Sequence, residues 1–434
     1  MNKKTRYSIL AFGFIFFLVA APVTVLYVRG ITYDFAAKSF VKTGLLAVRT
    51  TPGDAQIFLN GKLNLRGQGD IRFLLPAEYD VAVKKAGYGG WDKRLTVSEG
   101  QVTWANPAGG SIYLFLQNPP VKNLASGVSD FYSQGKNLLF LTANNLAVTT
   151  TDNPSKEQDY PLPKNADKIL AADDSGQNFV LGGESASGSG ETLLIFNISS
   201  GQFSDIGSLL PSTSKMRFGP DGSLYALSAG TLYKVKAADK IKTPVFTGVE
   251  TFTFQDGQLY FMAENNGSSA LFESSQPFSD RQLILSGLPD APNADLYVTF
   301  EKEVLLLFGG NLYLASSNMQ ALAGNVSTVG FNRQNSLLTV LHSGELDYYD
   351  PLAHNLNFVT RSSQALSNPV VNTGIGWSFF AQGNNLTAIE LDARDKQNQS
   401  VLYQGQNIKN FYADDAGKNI LLLDNGQLKS MVIR

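Results

Sequence analysis

The 434-residue chain contains no cysteine. Disulfide staples, thiolate metal sites and cysteine nucleophiles are thereby excluded, so stability has to come from buried apolar area and backbone pairing. Histidine occurs twice, at His342 and His354. A zinc site needs three or four ligands and a Ser-His-acid triad needs a positioned base. Neither histidine has sequence neighbours that suggest one, and both read as surface loop residues. Charge is scarce as well. Charged residues make up 17% and the net charge is -2, against the usual ~25% charged. A near-neutral chain lacks the broad basic face that nucleic acid requires. The Gly/Ser-rich stretch from Gly182-Gly183-Glu184 to Gly190-Glu191 lacks the Lys-Ser/Thr of a phosphate-binding loop, and it reads as a flexible hairpin. No cofactor and no metal is expected. What the chain does have is 28 Phe, 17 Tyr and 40 Gly, a composition suited to strands and turns.

One stretch stands apart. Ile9 to Val28 is uncharged and apolar throughout, including Ile9, Phe12, Phe16, Leu18, Val23 and Leu26. A bilayer core needs about 20 such residues in a helix. Lys3, Lys4 and Arg6 precede it, and basic residues flanking a first apolar helix stay on the cytoplasmic side. The expectation is a cytoplasmic tail over 1–8, a single-pass transmembrane anchor over 9–28 and an extracytoplasmic remainder at the cell membrane. A cleaved signal peptide is the rival reading, but its apolar region runs roughly 7–15 residues, and the nearest cleavage motif, Val19-Ala20-Ala21, would put Pro22 just after the cut. Tyr7 and Tyr27 fall near the two ends, where aromatic rings favour the membrane interface. Residues 29–43 lack a clear helical stripe and read as a juxtamembrane linker.

From Gly44 the pattern alternates. Leu46, Val48 and Thr50 point one way, Pro52-Gly53-Asp54 turns the chain, and Ile57 and Leu59 resume. Asn60-Gly61 is a type I′ hairpin signal. Ile71, Phe73 and Leu75, then Val81 and Val83, then Leu95 and Val97, then Ile112, Leu114 and Leu116 continue the alternation. Short strands at this spacing predict a small β-barrel or sandwich over 44–117. This stretch resembles a PEGA domain. The resemblance rests on Gly44, Leu46, Val48, Thr51-Pro52, Ala55, Ile57 to Leu59, Asn60-Gly61-Lys62, Val81, Val83, Lys84-Lys85 and Gly87-Tyr88. Pro76-Ala77-Glu78-Tyr79 stands where that family carries its namesake tetrapeptide. The resemblance implies a small extracytoplasmic β module, often fused to a membrane anchor, and carries no catalytic residue across. Tyr88 and Trp91 form a candidate carbohydrate-stacking pair, set against a simpler reading in which Tyr88 packs over the end of the barrel.

Residues 118–434 repeat. Met216 to Val235 shows the unit: a strand ending at Phe218, a Pro220-Asp221-Gly222 turn, a strand Leu224 to Leu227, a turn at Gly230 and a strand Leu232 to Val235. The same grammar recurs about eight times at a spacing of about 40 residues, the period of a four-stranded propeller blade. The fold class is therefore mainly β, with one N-terminal helix, a small β module and a propeller of eight blades, seven being the alternative. Phe-x-Pro-Asp-Gly resembles the repeats of WD40-like and TolB-like propellers, although the repeats lack the Trp-Asp and Gly-His dipeptides of WD40. No outer strand follows Ile433, and Val121 to Leu124 is a spare strand ahead of the first unit. It is expected to close the ring.

The acid pairs Asp173-Asp174 and Asp414-Asp415 recur at one place in the repeat, beside Gly176 and Gly417, and read as turn chemistry rather than as glycosidase carboxylates. Channel-lining residues are expected near Ser129, Asp173, Thr253 and Asn410, without a convergent catalytic set. The reading is a non-enzymatic binding or scaffolding protein of the cell envelope, whose partners are the membrane and an envelope protein or glycan. A propeller hydrolase or lyase and a structural component of a surface protein layer are the alternatives.

Overall fold

Runs such as Leu138-Leu139-Phe140-Leu141 and Ile420-Leu421-Leu422-Leu423 have no polar face, so a strand built from them has to be covered on both sides. The computed structural model, which describes residues 3–35, 37–107, 110–151, 153–184, 191–210, 213–291, 294–315, 319–332 and 337–434, shows how. Eight four-stranded antiparallel sheets follow one another along the chain as blades. The first seven begin at Val128, Lys168, Thr213, Val249, Asp295, Val326 and Leu366. The first strands of most successive blades pack against one another around the axis. The eighth blade takes its three inner strands from Ile408–Ala413, Asn419–Asp424 and Gln427–Val432.

Its outer strand comes from the other end of the ring. Val121–Ser126 pairs antiparallel with Gln427–Val432, Val121 opposite Met431 and Ser126 opposite Gln427. The seam is thus closed by backbone hydrogen bonding, and no edge is left there to template association. Leu124 lies at an irregularity in this ladder, between the paired residues Asn123 and Ala125.

The core is divided rather than continuous. Eight apolar clusters fill the spaces between neighbouring blades. Alternate residues of one strand feed opposite clusters: Leu138 and Phe140 pack toward the eighth blade, Leu139 and Leu141 toward the second. Period-2 side-chain direction thus explains the unbroken apolar runs. The Gly182–Glu191 stretch is a hairpin, Asn178–Glu184 pairing with Glu191–Asn197. Its tip, 185–190, lies outside the described residues, and so does its expected flexibility.

Residues 44–117 form a sandwich of a four-stranded sheet (Lys62–Arg66, Gln56–Leu59, Ala77–Lys84, Trp91–Val97) and a three-stranded one (Val102–Trp104, Gly44–Val48, Gly69–Leu74). Asn60 and Gly61 both have positive φ, 48° and 75°, as the predicted hairpin turn demands. Phe73 departs from the expected alternation. Its φ is 59°, the register shifts beside it, and its ring turns outward. The N-terminal helix spans Lys3–Val28, so Lys3, Lys4 and Arg6 lie within its first turns rather than in a separate tail. Residues 29–43 contain a β-hairpin, Ile31–Asp34 against Ser39–Lys42, which the irregular pattern of the sequence did not suggest.

Candidate functional site

The strand Trp91–Val97 alternates strictly, with Trp91, Lys93, Leu95 and Val97 buried and Asp92, Arg94 and Thr96 exposed. It is an edge strand of the module's four-stranded sheet. Here the edge is covered by the third-to-fourth-strand loop of the seventh blade. Trp91 is 2% exposed, and its indole N–H donates to Glu390 Oε1 at 3.0 Å. Trp91 is therefore not part of an exposed stacking pair. Tyr88 is half-buried, bridges to Leu116 and carries the Lys85 ammonium over its ring at 5.4 Å. It packs at the end of the sandwich, against the core that the module shares with the propeller.

Around Trp91 lies a buried charge cluster that the sequence reading missed. The Lys93 side chain is fully enclosed, 3.1 Å from Glu390 Oε2 and 3.0 Å from Asp392 Oδ2. Its ammonium also donates to the Asp392 carbonyl at 2.6 Å. Arg394 completes the balance, donating to Asp392 at 2.9 Å and to the carbonyls of Trp104 and Ala105. Burial works against ionisation of Asp392, but Arg394 and Lys93 outweigh it and hold the carboxyl below its ordinary pKa. Asn398 donates to Glu390 Oε2 at 2.8 Å. Two exposed-edge N–H groups are capped as well, Asp92 by Asn398 Oδ1 and Arg94 by Asp395 Oδ2. The edge is thus finished by side chains of the propeller.

Apolar contacts carry the junction further. Phe115 meets Trp377 edge-on at 4.8 Å, the Leu116 N–H donates to the Ile433 carbonyl, and one cluster runs from Leu46 and Val83 through Phe115 to Phe379 and Leu422. The module thereby extends the packing between the seventh and eighth blades. Beside the junction a surface groove of about 600 Å³ is lined by Asp80, Lys84, Asp92, Arg94, Asp395 and Lys396 among others. Its charges already pair within the chain, Arg94 with Asp80 and Lys396 with Asp92.

At the channel, the sequence candidates separate. Ser129 and Asn410 lie on innermost strands, where Ser129 carries the Lys409 ammonium on its carbonyl at 2.6 Å and Asn410 Oδ1 accepts the Phe411 N–H. Thr253 also lies on an innermost strand but is buried, and Asp173 sits in a turn. Asp173 accepts from Ser175 Oγ, Gln177 N and Asn178 Nδ2. Asp414 accepts from Lys418 N and Asn419 Nδ2. Both carboxylates are engaged as turn residues.

Other residues join the blades around the axis. Asp130 of the first blade accepts the Ile169 N–H of the second at 2.9 Å, and burial raises its pKa despite that bond. Lys215 of the third reaches Thr251 of the fourth and Asp295 of the fifth. A β-irregularity near the start of most inner strands places these residues; binary patterning gives no sign of it.

Of the histidines, His354 is exposed in a turn and touches Glu303. His342, by contrast, ends a strand with its side chain 14% exposed and contacts Asp347 at 2.7 Å. It is not a surface loop residue.

The helix is uncovered by the rest of the chain. Thr5–Val28 spans about 36 Å at 1.5 Å per residue, enough for a hydrocarbon core of about 30 Å. Tyr27 stacks on the out-turned Phe73 at 4.7 Å. Thr43 N and Oγ1 both donate to the Gly30 carbonyl, which closes the base of the hairpin. Tyr33, Phe35 and Phe40 form an exposed aromatic cluster on it.

No family model matches the chain, and no curated protein does. Solved structures resemble it at the level of fold. A eukaryotic initiation factor shares 12% identity over 71% of this chain and 84% of its own, with a TM-score of 0.48. The C-terminal WD40 domain of Sif2 shares 10% over 73% and 99%, with a TM-score of 0.47. An oligogalacturonate lyase in complex with manganese shares 11% over 74% and 99%, with a TM-score of 0.42.

Proposed function

We propose that this chain is a single-pass membrane protein whose helix holds a PEGA-type module and a propeller outside the cytoplasm, as a binding scaffold for an envelope protein or glycan. One observation carries the reading. A bare apolar helix leads through a hydrogen-bonded hairpin into a module that shares a core and a buried charge cluster with the propeller. In this reading the hairpin and the shared core hold the propeller close to the surface that the helix enters. Tyr33, Phe35 and Phe40, with Arg29, Lys38 and Lys42 close by in the chain, suit the headgroup region, where aromatic rings and long basic side chains are favoured. An uncleaved anchor is the reading we favour over a cleaved signal peptide, supported by an apolar helix of anchor length whose last turn stacks on Phe73 through Tyr27.

Binding rather than turnover is the reading for the propeller. Asp173 and Asp414 engage their carboxylates with turn donors, and the Asp130 carboxylate and the Lys215 and Lys409 ammonium groups join blades. Protease added to intact protoplasts tests the topology. Loss of the propeller with a protected N-terminus is expected, and a protected propeller would overturn the orientation. Crosslinking in the native envelope followed by purification of the full chain should capture a discrete envelope component. A pure preparation that hydrolyses envelope glycan or peptide would overturn the scaffold reading.

A further inference from the structure

The sixth blade carries a cluster that neither the anchor nor the junction uses. His342 ends its second strand, and Ser343-Gly344 returns the chain with φ of 49° and 80°. A two-residue turn with positive φ at both positions sets the register, so Glu345 lies opposite His342. Asp347, two residues on, shares the face of Glu345. Three donors are thus brought together by the segment His-Ser-Gly-Glu-Leu-Asp. His342 Nε2 is 2.7 Å from Asp347 Oδ2 and 3.8 Å from Glu345 Oε2. Among the described residues, these three are the group whose donor atoms all lie within 4.8 Å of one another.

A second observation points to a ligand. Asp347 is 6% exposed, and its Oδ1 is buried with no hydrogen-bond partner. An ionisable carboxylate so enclosed ordinarily has both oxygens satisfied. Here one oxygen meets the imidazole and the other meets nothing. A cation that the Asp347 carboxylate holds through both oxygens would remove that deficit. Arg361 pairs with Glu345 Oε1, leaving Oε2 turned toward His342, the role of an outer partner that orients a ligand.

We propose that His342, Glu345 and Asp347 form a divalent metal site, one imidazole and two carboxylates, that takes a first-row transition ion such as Zn²⁺ or Mn²⁺. The donor set decides the class. Calcium wants six to eight oxygens, and soft ions want thiolate or thioether. Three protein donors leave room for water or a partner's donor at the remaining positions. Strand direction also sets the place. The module docks at the end of the seventh blade's third strand, near Glu390, whereas the His342–Glu345 turn precedes the third strand of the sixth. The site therefore lies on the propeller face opposite the module.

The test uses the untagged full chain in detergent, stripped with chelator and titrated with Zn²⁺ and with Mn²⁺ by calorimetry. One equivalent of one of these ions is expected to bind and to raise the melting temperature. His342→Gln should weaken that binding by more than about tenfold, while His354→Gln, at the exposed turn, leaves it unchanged. Circular dichroism and melting in chelator establish that the variants fold, and Glu345→Gln gives the same comparison should His342→Gln fail to. Binding of neither ion, or stoichiometric binding kept in His342→Gln and Glu345→Gln, overturns the site.

Discussion

The module and the propeller solve one problem in two ways. Each is made of twisted antiparallel sheets, and each sheet has faces and edges to cover. The propeller covers its faces by repetition, every blade supplying half of the cluster on either side, and it closes its seam with its own Val121–Ser126. The module has no neighbour of its own kind. Its Trp91–Val97 edge is finished by Asn398 and Asp395, and its Lys93 is neutralised by Glu390 and Asp392, all of them propeller residues. A ring can stand by itself, whereas this sandwich is completed by its partner.

The largest effect should come from opening the ring. Replacing Val121–Ser126 with a Gly-Ser stretch of equal length removes the outer strand of the eighth blade and bares the Gln427–Val432 edge. Soluble monomer should fall sharply, with aggregates on size-exclusion chromatography. A monodisperse variant with unchanged melting would show that the seam is dispensable.

Next is the buried charge cluster. Lys93→Ala leaves Glu390 and Asp392 enclosed with one cation, Arg394, and should cost about 3–5 kcal/mol. Trp91→Phe removes one hydrogen bond to a carboxylate and should cost about 1.5–3 kcal/mol. If the module depends on the propeller as described, denaturant unfolding of Lys93→Ala should resolve a separate early step for the module. A loss confined to the propeller would break the comparison.

Acid provides a third test. Asp424 is buried at the contact between the seventh and eighth blades. Burial opposes its ionisation, but Lys429, the Asn407 and Gln406 N–H groups and the Tyr403 hydroxyl outweigh burial and hold its carboxyl well below the ordinary range. A depressed folded pKa means that its stabilisation is complete above the unfolded value, about 3.9, and is lost as pH falls toward the folded one. Asp424→Asn should therefore lower stability at neutral pH and flatten the acid limb of the stability curve below about pH 4. An acid limb identical to wild type would remove Asp424 from this role.

The smallest effects belong to the turns. Asp173→Asn and Asp414→Asn should each cost on the order of 1 kcal/mol, more at the buried Asp173 than at the half-buried Asp414. Sites in different blades should add. A variant that keeps its melting temperature yet abolishes a measured hydrolysis would contradict the binding reading.

Local order was legible from the residues. Apolar runs covered on both faces, turns at Asn60-Gly61 and Asp221-Gly222, a helix without charge and the need for a seam strand beside Gln427–Val432 are statements about near neighbours and periodicity, and within a blade most strands pair with the next strand along the chain. The junction was not legible. Lys93 and Glu390 are 297 positions apart, Lys93 standing in an alternation that is otherwise apolar on its buried side. A lysine at an inward position was the available signal, and by itself it does not say which acid will meet it. His342, Glu345 and Asp347 are close in the sequence, yet the scarcity of histidine argued against a metal before the hairpin register placed the two carboxylates on its side of the sheet.

By itself, the sequence determined the β class, the blade period, the apolar helix and the turn aspartates, because these follow from side-chain alternation and backbone preference over short stretches. Only the tertiary structure decided that Trp91 is buried rather than displayed, that the module and propeller share one core, and that Asp347 keeps an oxygen unpaired. Burial and partnering belong to surfaces brought together across the whole chain, and no local pattern specifies what lies on the other side.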